Sequence, residues 1–479
     1  MSFLRTNGAM LNDLYQITMS YAYWKNGMAN HESVFHLFYR KAPFKGSFSI
    51  FSGLDRVIEL VENFKFDEGD IDWLRHLNGN DEKPLFEEGF LSFLSDFKLE
   101  VDLDSLAEGT VAFPNTPMVR VKGNIIACQL LETPLLNLVN FDTLATTKAV
   151  RICLAAKSSE VFELGLRRAQ TPEAGMRASR AAWIAGCAGT SNILAAKTYG
   201  IPAQGTHAHS WVMSHADELD AFLKYGLAMP GNCVLLVDTY DTEEGVKKAI
   251  VAGREIEEKG GKLTGIRLDS GNLLELSKIS RKLLNTAGFK HTKIIASNDL
   301  DEYAIEDLKA KGARIDIYGV GTRLVTAYDQ PALGGVYKLA AIRAKTDDEW
   351  DYKLKLSNDP IKVSNPGVQQ VRRYSLNGVF ISDVIYNEEG PQSDVAVNLK
   401  TGLSEILDGE FVDLLQPVFR QSQLVYEIPE LSETREYCRA QLTSLRRELK
   451  ATIFPDNYKV LLDDELYRIK VDLLNTLRV

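Results

Sequence analysis

The sequence predicts an α/β protein centred on an irregular, incomplete α/β barrel. A mixed α+β N-terminal domain precedes the barrel, and a C-terminal region of β-hairpins and helices follows it. Three observations carry this prediction. Through the middle of the chain, short apolar runs that end in small or polar residues alternate with amphipathic helices. The runs are almost unbroken Val, Ile and Leu, as parallel strands buried on both faces require. The unit recurs every 24 to 33 residues, the size of a βα unit.

Taken in order, residues 1–115 form the N-terminal domain. A helical pattern (LNDLYQITMSYAYWKNG) leads into a strand-like SVFHLFYRKAPF and an acidic helical stretch. The segment VAFPNTPMVRVKGNIIACQLLE (111–132) reads as β-rich and feeds the barrel domain, set at 116–345. Within it, GIPAQGTHAHS (200–210), CVLLVDTYD (233–241), LTGIRLDSGN (263–272), TKIIASNDLD (292–301) and ARIDIYGVGTR (313–323) are successive strands with their ends. Five to seven such units fall short of the eight in a regular barrel, so an incomplete barrel is preferred to an open doubly wound sheet. In 346–479, VRRYSLNGVFISDVIYNEEG reads as antiparallel hairpins, and the end from LSETREYCRAQLTSLRRELK to LLNTLRV reads as helical, partly packing on the N-terminal domain.

A chain of 479 residues with 45% hydrophobic and 25% charged residues is ordinary globular material of two or three domains. With 55 Lys and Arg against 65 Asp and Glu the net charge is −10, which argues against a nucleic-acid surface while permitting a local basic pocket. The five cysteines are scattered and form no CxxC, so neither a disulfide framework nor a structural zinc is expected. No secretion signal is read at the N-terminus, and the best charge-free apolar stretch (181–196) is too short for a bilayer. A cytoplasmic protein without membrane partners is expected.

Polar groups concentrate where the strands end: His207 and His209; Asp238 and Asp241; Arg267, Asp269 and Ser270; Ser297, Asn298 and Asp299; Gly319, Gly321, Thr322 and Arg323. Asp, Asn and Ser at such positions also cap the following helix. Caps need no Arg or His, so five units ending this way mark one face of the barrel as a site. On an extended strand His207 and His209 share a face, and the pair suits a metal, a nucleophile or an acid–base group. Asp238, one strand over, is placed to accept a hydrogen bond from a His209 ring nitrogen and fix its tautomer. YGVGTR (318–323) sets successive backbone N–H groups beside an arginine, as a phosphate requires, but lacks the third glycine of a dinucleotide fingerprint. LDSGN (268–272) suits sugar hydroxyls and, through water, Mg²⁺. Arg167 and Arg168, beside apolar neighbours, read either as a solvated pair or as a guanidinium fork for a planar carboxylate. From the residues alone the reading is a barrel enzyme for a phosphorylated sugar. A two-histidine metal hydrolase and a non-catalytic sensor of sugar phosphates are the alternatives.

The segments LNDLYQITM, FHLFYRKAPF, GLRRAQ, GTHAHSW, DTYDT, IRLDSGN, SNDLDE and YGVGTRLV…ALGGVYKL, in that order and spacing across residues 10–345, resemble those of nicotinate phosphoribosyltransferases. The similarity extends to PGVQQVRR (366–373). This resemblance to the type II phosphoribosyltransferases implies that nicotinate displaces pyrophosphate from 5-phosphoribosyl-1-pyrophosphate (PRPP), the first step of NAD salvage from nicotinate. Mg²⁺ would sit mainly on substrate phosphates, and ATP hydrolysis would be coupled through a phosphohistidine at His209, oriented by Asp238. It further implies Asp269 on the ribose hydroxyls and Arg267 near the pyridine or phosphate. Asn298, Gly319, Gly321, Thr322 and Arg323 would surround the 5-phosphate, with Lys338 supplying charge. Arg167 and Ser191 would face the nicotinate carboxylate. Tyr15 and Arg40 would reach the neighbouring subunit's site in a homodimer with shared active sites. Relatives that take the amide carry an acidic residue in place of Ser191, so Ser191 favours the acid. Two departures stand out: Leu164 replaces an aromatic before the GxR, shifting ring stacking toward Tyr15, and only Cys438 remains where some relatives hold a zinc cluster.

Overall fold

The computed structural model describes residues 8–344, 348–357, 362–399, 401–453 and 455–477. Two compact units divide the chain: Ala145–Pro331, and the residues up to Leu144 together with those from Ala332 onward.

In the unit Ala145–Pro331, six parallel strands form one sheet. In chain order they are β1 (Glu160–Glu163), β2 (Gly189–Thr190), β3 (Cys233–Leu236), β4 (Leu263–Leu268), β5 (Lys293–Ala296) and β6 (Ile317–Val320). Their spatial order is β2-β1-β6-β5-β4-β3, so the last strand pairs back onto the first. That return pairing curls the sheet into the incomplete barrel expected from the repeats. Val, Ile and Leu of these runs are buried, and the helices between them carry apolar faces inward. Thr242–Glu258 buries Val246, Ala249, Ile250 and Ile256. Its Gly245 lies so close to the end of β3 that a Cβ there would stand 1.9 Å from the Val237 carbonyl oxygen.

β2 and β3 are the two ends of the sheet. The seam between them is filled by 201–210, which bridges in parallel from Ala203 to Thr190. At the other side of the seam, the Leu236 N–H donates to His207 Nε2 at 3.1 Å. His207 is 8% exposed and meets the Tyr225 ring edge-on at 4.6 Å. It is a structural pin: its Nε2 is committed to the backbone, which removes the two-histidine hydrolase.

The other unit holds a seven-stranded antiparallel sheet, in which Glu32–Tyr39 lies between Gly335–Arg343 and Val119–Asn124. Both neighbours fall inside the 116–345 span expected for the barrel domain, yet they pair here. The reason is legible in the residues: V-R-V-K alternates, as an antiparallel strand does, whereas barrel strands are continuously apolar. Val119 and Val121 are buried, and Arg120 is buried with its charge paired to Asp104 at 2.9 Å and Glu388 at 2.7 Å. A six-stranded sheet contains the expected hairpin Gln369–Leu376 with Val379–Asn387, and Gln416–Arg420 pairs with Val101–Ser105, joining the C-terminal region to the N-terminal one. Leu431–Ser444 and Asp464–Leu477 are the expected helices. Among the described residues no helix is long and apolar enough to cross a membrane.

The seam makes a prediction. Burial first, then the Arg267 and His209 charges, pull the His207 imidazole down from 6.5 to about 4. Between those values the unfolded chain binds the proton and the folded chain does not, so stability is complete above pH 6.5 and falls as pH drops toward 4. The loss is at most about 3 kcal/mol. Denaturant midpoints measured from pH 7.5 down to pH 4 should fall less steeply in His207→Gln than in the natural protein.

Candidate active site at the barrel rim

The strand ends separate capping residues from residues with nothing to cap. Asp241, Asn272 and Asp301 each accept the backbone N–H of the first helical turn, so they are caps. Asp238 and Asp269 cap nothing. Asp238 Oδ2 accepts from the Asp269 N–H and the Ser270 hydroxyl, both at 2.7 Å, while its Oδ1 is buried without a partner. The Asp269 carboxylate accepts from the Ser297 hydroxyl and leaves Oδ2 at 3.7 Å from His209 Nε2. Three adjacent strand ends are thereby locked together through carboxylates.

His209 does not share a face with His207. The extended chain ends at Ala208, and His209 opens the short helix His209–Met213. Its Nδ1 pairs with Thr239 Oγ1 at 3.1 Å. The orienting contact expected from Asp238 is thus made by Thr239, while Asp238 turns its Oδ2 to Asp269 and Ser270. His209 keeps a side chain 40% exposed, as a group that must meet a substrate requires.

Arg267 donates from Nη1 to Thr206 Oγ1 at 2.8 Å, and its Nε is buried without an acceptor. Burial pulls its guanidinium below the usual arginine range; Asp269 and Asp238 oppose this, and the nearby Arg167 charge adds to it. Arg167 and Arg267 therefore lie within electrostatic reach of each other. Arg167 rides on the exposed turn Leu166–Arg168 after β1, with Arg168 exposed beside it. Ser191, after β2, donates its N–H to the Glu163 carbonyl at 2.9 Å.

At the ends of β5 and β6 the backbone itself is unusual. Asn298 and Asp299 have φ of 111° and 43°, conformations that non-glycine residues adopt at a cost of order 1–3 kcal/mol and that recur at ligand sites. Gly319 and Gly321 lead into Thr322–Val325. Leu164, which stands where an aromatic was expected, packs on this turn: a Cβ on Gly319 would lie 2.6 Å from its Cδ1. Arg323 stacks on Tyr328 at 3.7 Å and reaches Asp301 at 3.8 Å.

Tyr15, Arg40 and Lys338 belong to the other unit, where Tyr15 and Lys338 both feel the Glu132 carboxylate. Burial lowers the Lys338 ammonium; Glu132 opposes this, and the Arg40 and Lys355 charges add to it. Tyr15 is 46% exposed and lies near Glu132 and Thr133. Sequence reasoning missed Thr206, Thr239, Lys355 and Glu163. The first three are ordinary polar residues whose role comes only from their neighbours. Glu163 left a signal, a lone carboxylate ending an apolar strand run (EVFELG).

Models of the nicotinate phosphoribosyltransferase (NAPRTase) N-terminal domain, family and C-terminal domain match residues 10–140, 159–360 and 369–470 in succession. A nicotinate phosphoribosyltransferase of Bacillus subtilis is 40% identical, covering 97% of this chain and 95% of its own. One of Dictyostelium discoideum is 36% identical over 96% and 87%, and one of Homo sapiens 31% identical over 95% of each. The crystal structure of human nicotinic acid phosphoribosyltransferase matches with a TM-score of 0.83 and 28% identity, covering 96% of this chain and 99% of that one. A nicotinate-nucleotide pyrophosphorylase from Pyrococcus furiosus shares the fold, with a TM-score of 0.70 and 21% identity over 93% and 97%. Full-length similarity at this level means that the chain belongs to the nicotinate phosphoribosyltransferase family.

Proposed function

We propose that the protein joins nicotinate to PRPP, giving nicotinate mononucleotide and pyrophosphate, with ATP hydrolysis coupled through phosphorylation of His209. The observation that carries the reading is one barrel rim that holds a half-buried arginine with an unpartnered Nε, a second arginine within electrostatic reach, a carboxylate pair and an exposed histidine. In the transfer, the pyridine nitrogen's lone pair forms the bond to C1 of the ribose, and the C1–O bond to pyrophosphate breaks with its electrons leaving on that oxygen. Charge builds on the ribose carbon, so the protein's part is positioning and electrostatics. Asp269 serves the ribose hydroxyls; Asn298, Gly319, Gly321, Thr322 and Arg323 serve the 5-phosphate; Arg267 neutralises the anions. Arg167 and Ser191 take the nicotinate carboxylate.

For the coupled step, Thr239 at Nδ1 leaves Nε2 as the nitrogen that accepts the phosphoryl group from ATP; ADP leaves, and water later releases phosphate. Asp238 acts one step removed, holding Asp269 in register. Mg²⁺ fits the donors present: the orphaned Asp238 Oδ1 and the Asp269 carboxylate are the hard oxygens it takes. Among the described residues no group of three His, Cys, Asp or Glu could hold a metal. These two carboxylates would therefore meet an ion carried mainly by substrate phosphates, where it neutralises the departing pyrophosphate. Lys338 supplies charge for the phosphates, and Tyr15 and Arg40 reach the neighbouring subunit's site in a homodimer with shared sites, a reading supported by the exposed Leu14, Tyr15 and Met19; the protein works in the cytoplasm. The pathway role is the first step of NAD salvage from nicotinate.

Three measurements test this. Purified protein should turn nicotinate and PRPP into nicotinate mononucleotide and pyrophosphate, faster with ATP, and His209→Ala should lose both the nicotinate-dependent ATPase and the acid-labile phosphoprotein; either one surviving contradicts the assignment. Arg167→Ala should lower kcat/KM for nicotinate by roughly 10- to 150-fold while changing nicotinamide far less, because a hydrogen bond to a charged group contributes about 1.5–3 kcal/mol. Mixed Tyr15→Ala and His209→Ala subunits should recover activity that neither variant has alone, since sites built across a two-fold interface complement.

A further inference from the structure

The turn that carries Arg167 and the strand end that carries Ser191 meet at one side chain. Glu163, the last residue of β1, is fully buried. One carboxylate oxygen accepts the Gly165 N–H, two residues before Arg167. The other accepts the Ser179 hydroxyl at 2.8 Å and the Thr190 hydroxyl at 2.5 Å, one residue before Ser191. Its backbone carbonyl accepts the Ser191 N–H.

Every partner of this carboxylate is itself fixed. Ser179 and Thr190 are 1% exposed. Thr190 Oγ1 also accepts the Asn192 N–H at 3.0 Å, and Asn192, wholly buried, caps the helix Ile193–Tyr199. Gly165 is fixed from its other side: a Cβ there would lie 2.7 Å from Val325 Cβ and 2.9 Å from the Gly321 carbonyl oxygen. No ion pair neutralises Glu163 among the described residues. A carboxylate buried with neutral donors alone is an unfavourable way to cap a turn, which a serine or asparagine does with less desolvation. What only a carboxylate does here is accept at once a backbone N–H from the Arg167 turn, the Thr190 hydroxyl beside Ser191 and the Ser179 hydroxyl from the helix Pro172–Ala185.

We infer that Glu163 is a positioning residue, which sets the distance between Arg167 and Ser191 and so tunes recognition of the substrate's carboxylate. The inference rests on the reading that those two residues grip nicotinate. Glu163→Gln keeps the size and one acceptor. Its amide cannot serve Gly165 and both hydroxyls with the same polarity, so the spacing loosens without removing the guanidinium.

The test measures kcat and KM for nicotinate and PRPP, and kcat/KM for nicotinamide, in the natural protein, Glu163→Gln, Arg167→Ala and the double variant. Expected for Glu163→Gln is a nicotinate KM raised about tenfold, with kcat and the PRPP KM held within about twofold and a smaller preference for nicotinate over nicotinamide. In the Arg167→Ala background the same substitution should add less than about twofold, as contacting residues that act through one another do. Equal rises in both KM values, an unchanged nicotinate KM, or full additivity with Arg167→Ala overturn the inference while leaving the nicotinate reading intact. Arg167→Ala with no effect removes that reading, and this inference with it. Should Glu163→Gln fail to fold, Thr190→Val removes the hydroxyl beside Ser191, together with the acceptor of the Asn192 N–H, and should give the same pattern on a smaller scale; an unchanged nicotinate KM there overturns the inference.

Discussion

Six parallel strands buried on both faces leave charged side chains one place to go, the rim where the strands stop. Everything chemical in the barrel unit follows from that constraint. Val, Ile and Leu dominate the strands, and Asp238, Asp269, Ser297 and the Gly319–Gly321 turn stand at or just past their ends. Because neighbouring strands end in register, their polar residues meet laterally. The Asp238 carboxylate can then hold the backbone of Asp269, and Asp269 can take a hydroxyl from the next strand. The pairing of β6 back onto β1 brings the glycine turn beside the arginine turn, and the glycines let the two backbones approach.

The continuity of the apolar runs makes the parallel sheet legible in the sequence, because strands buried on both faces read that way, and the number of units favours an incomplete barrel over an open sheet. The site was legible to the extent that residues stood where a cap could not explain them: Arg267, Asp269 and His209 in particular. Asp241 and Asp301 show the opposite case, acidic strand ends that do cap helices. What stayed hidden depended on where the chain leaves extended geometry. His207 and His209 share a face only on a strand, and the chain turns helical at His209, so one ring pins the seam and the other stays exposed. Thr239 was hidden for the same reason: its contact with His209 spans 30 residues and no pattern encodes it. The segment at 119–124 carries the V-R-V-K alternation of an antiparallel strand, although it stands just before the barrel.

On the proposed reading, the arrangement of cations accounts for how an acidic protein selects an anionic substrate. A net charge of −10 repels anions at long range, but beyond about 10 Å that field is screened at ordinary ionic strength, and what remains is local. Locally Arg267 is half-buried with one nitrogen unpartnered, and Arg167 is close enough to disfavour its charge. Two like charges near each other repel; Thr206 holds the Arg267 guanidinium, and Glu163 holds the backbone of the turn that carries Arg167. An anion entering between them gains its own attraction and also offsets that repulsion. An uncharged amide of the same shape gains neither. On this reading the offset repulsion adds to the hydrogen bond that Arg167 gives the carboxylate. Both depend on the supports that hold Arg267 and the turn of Arg167 in place.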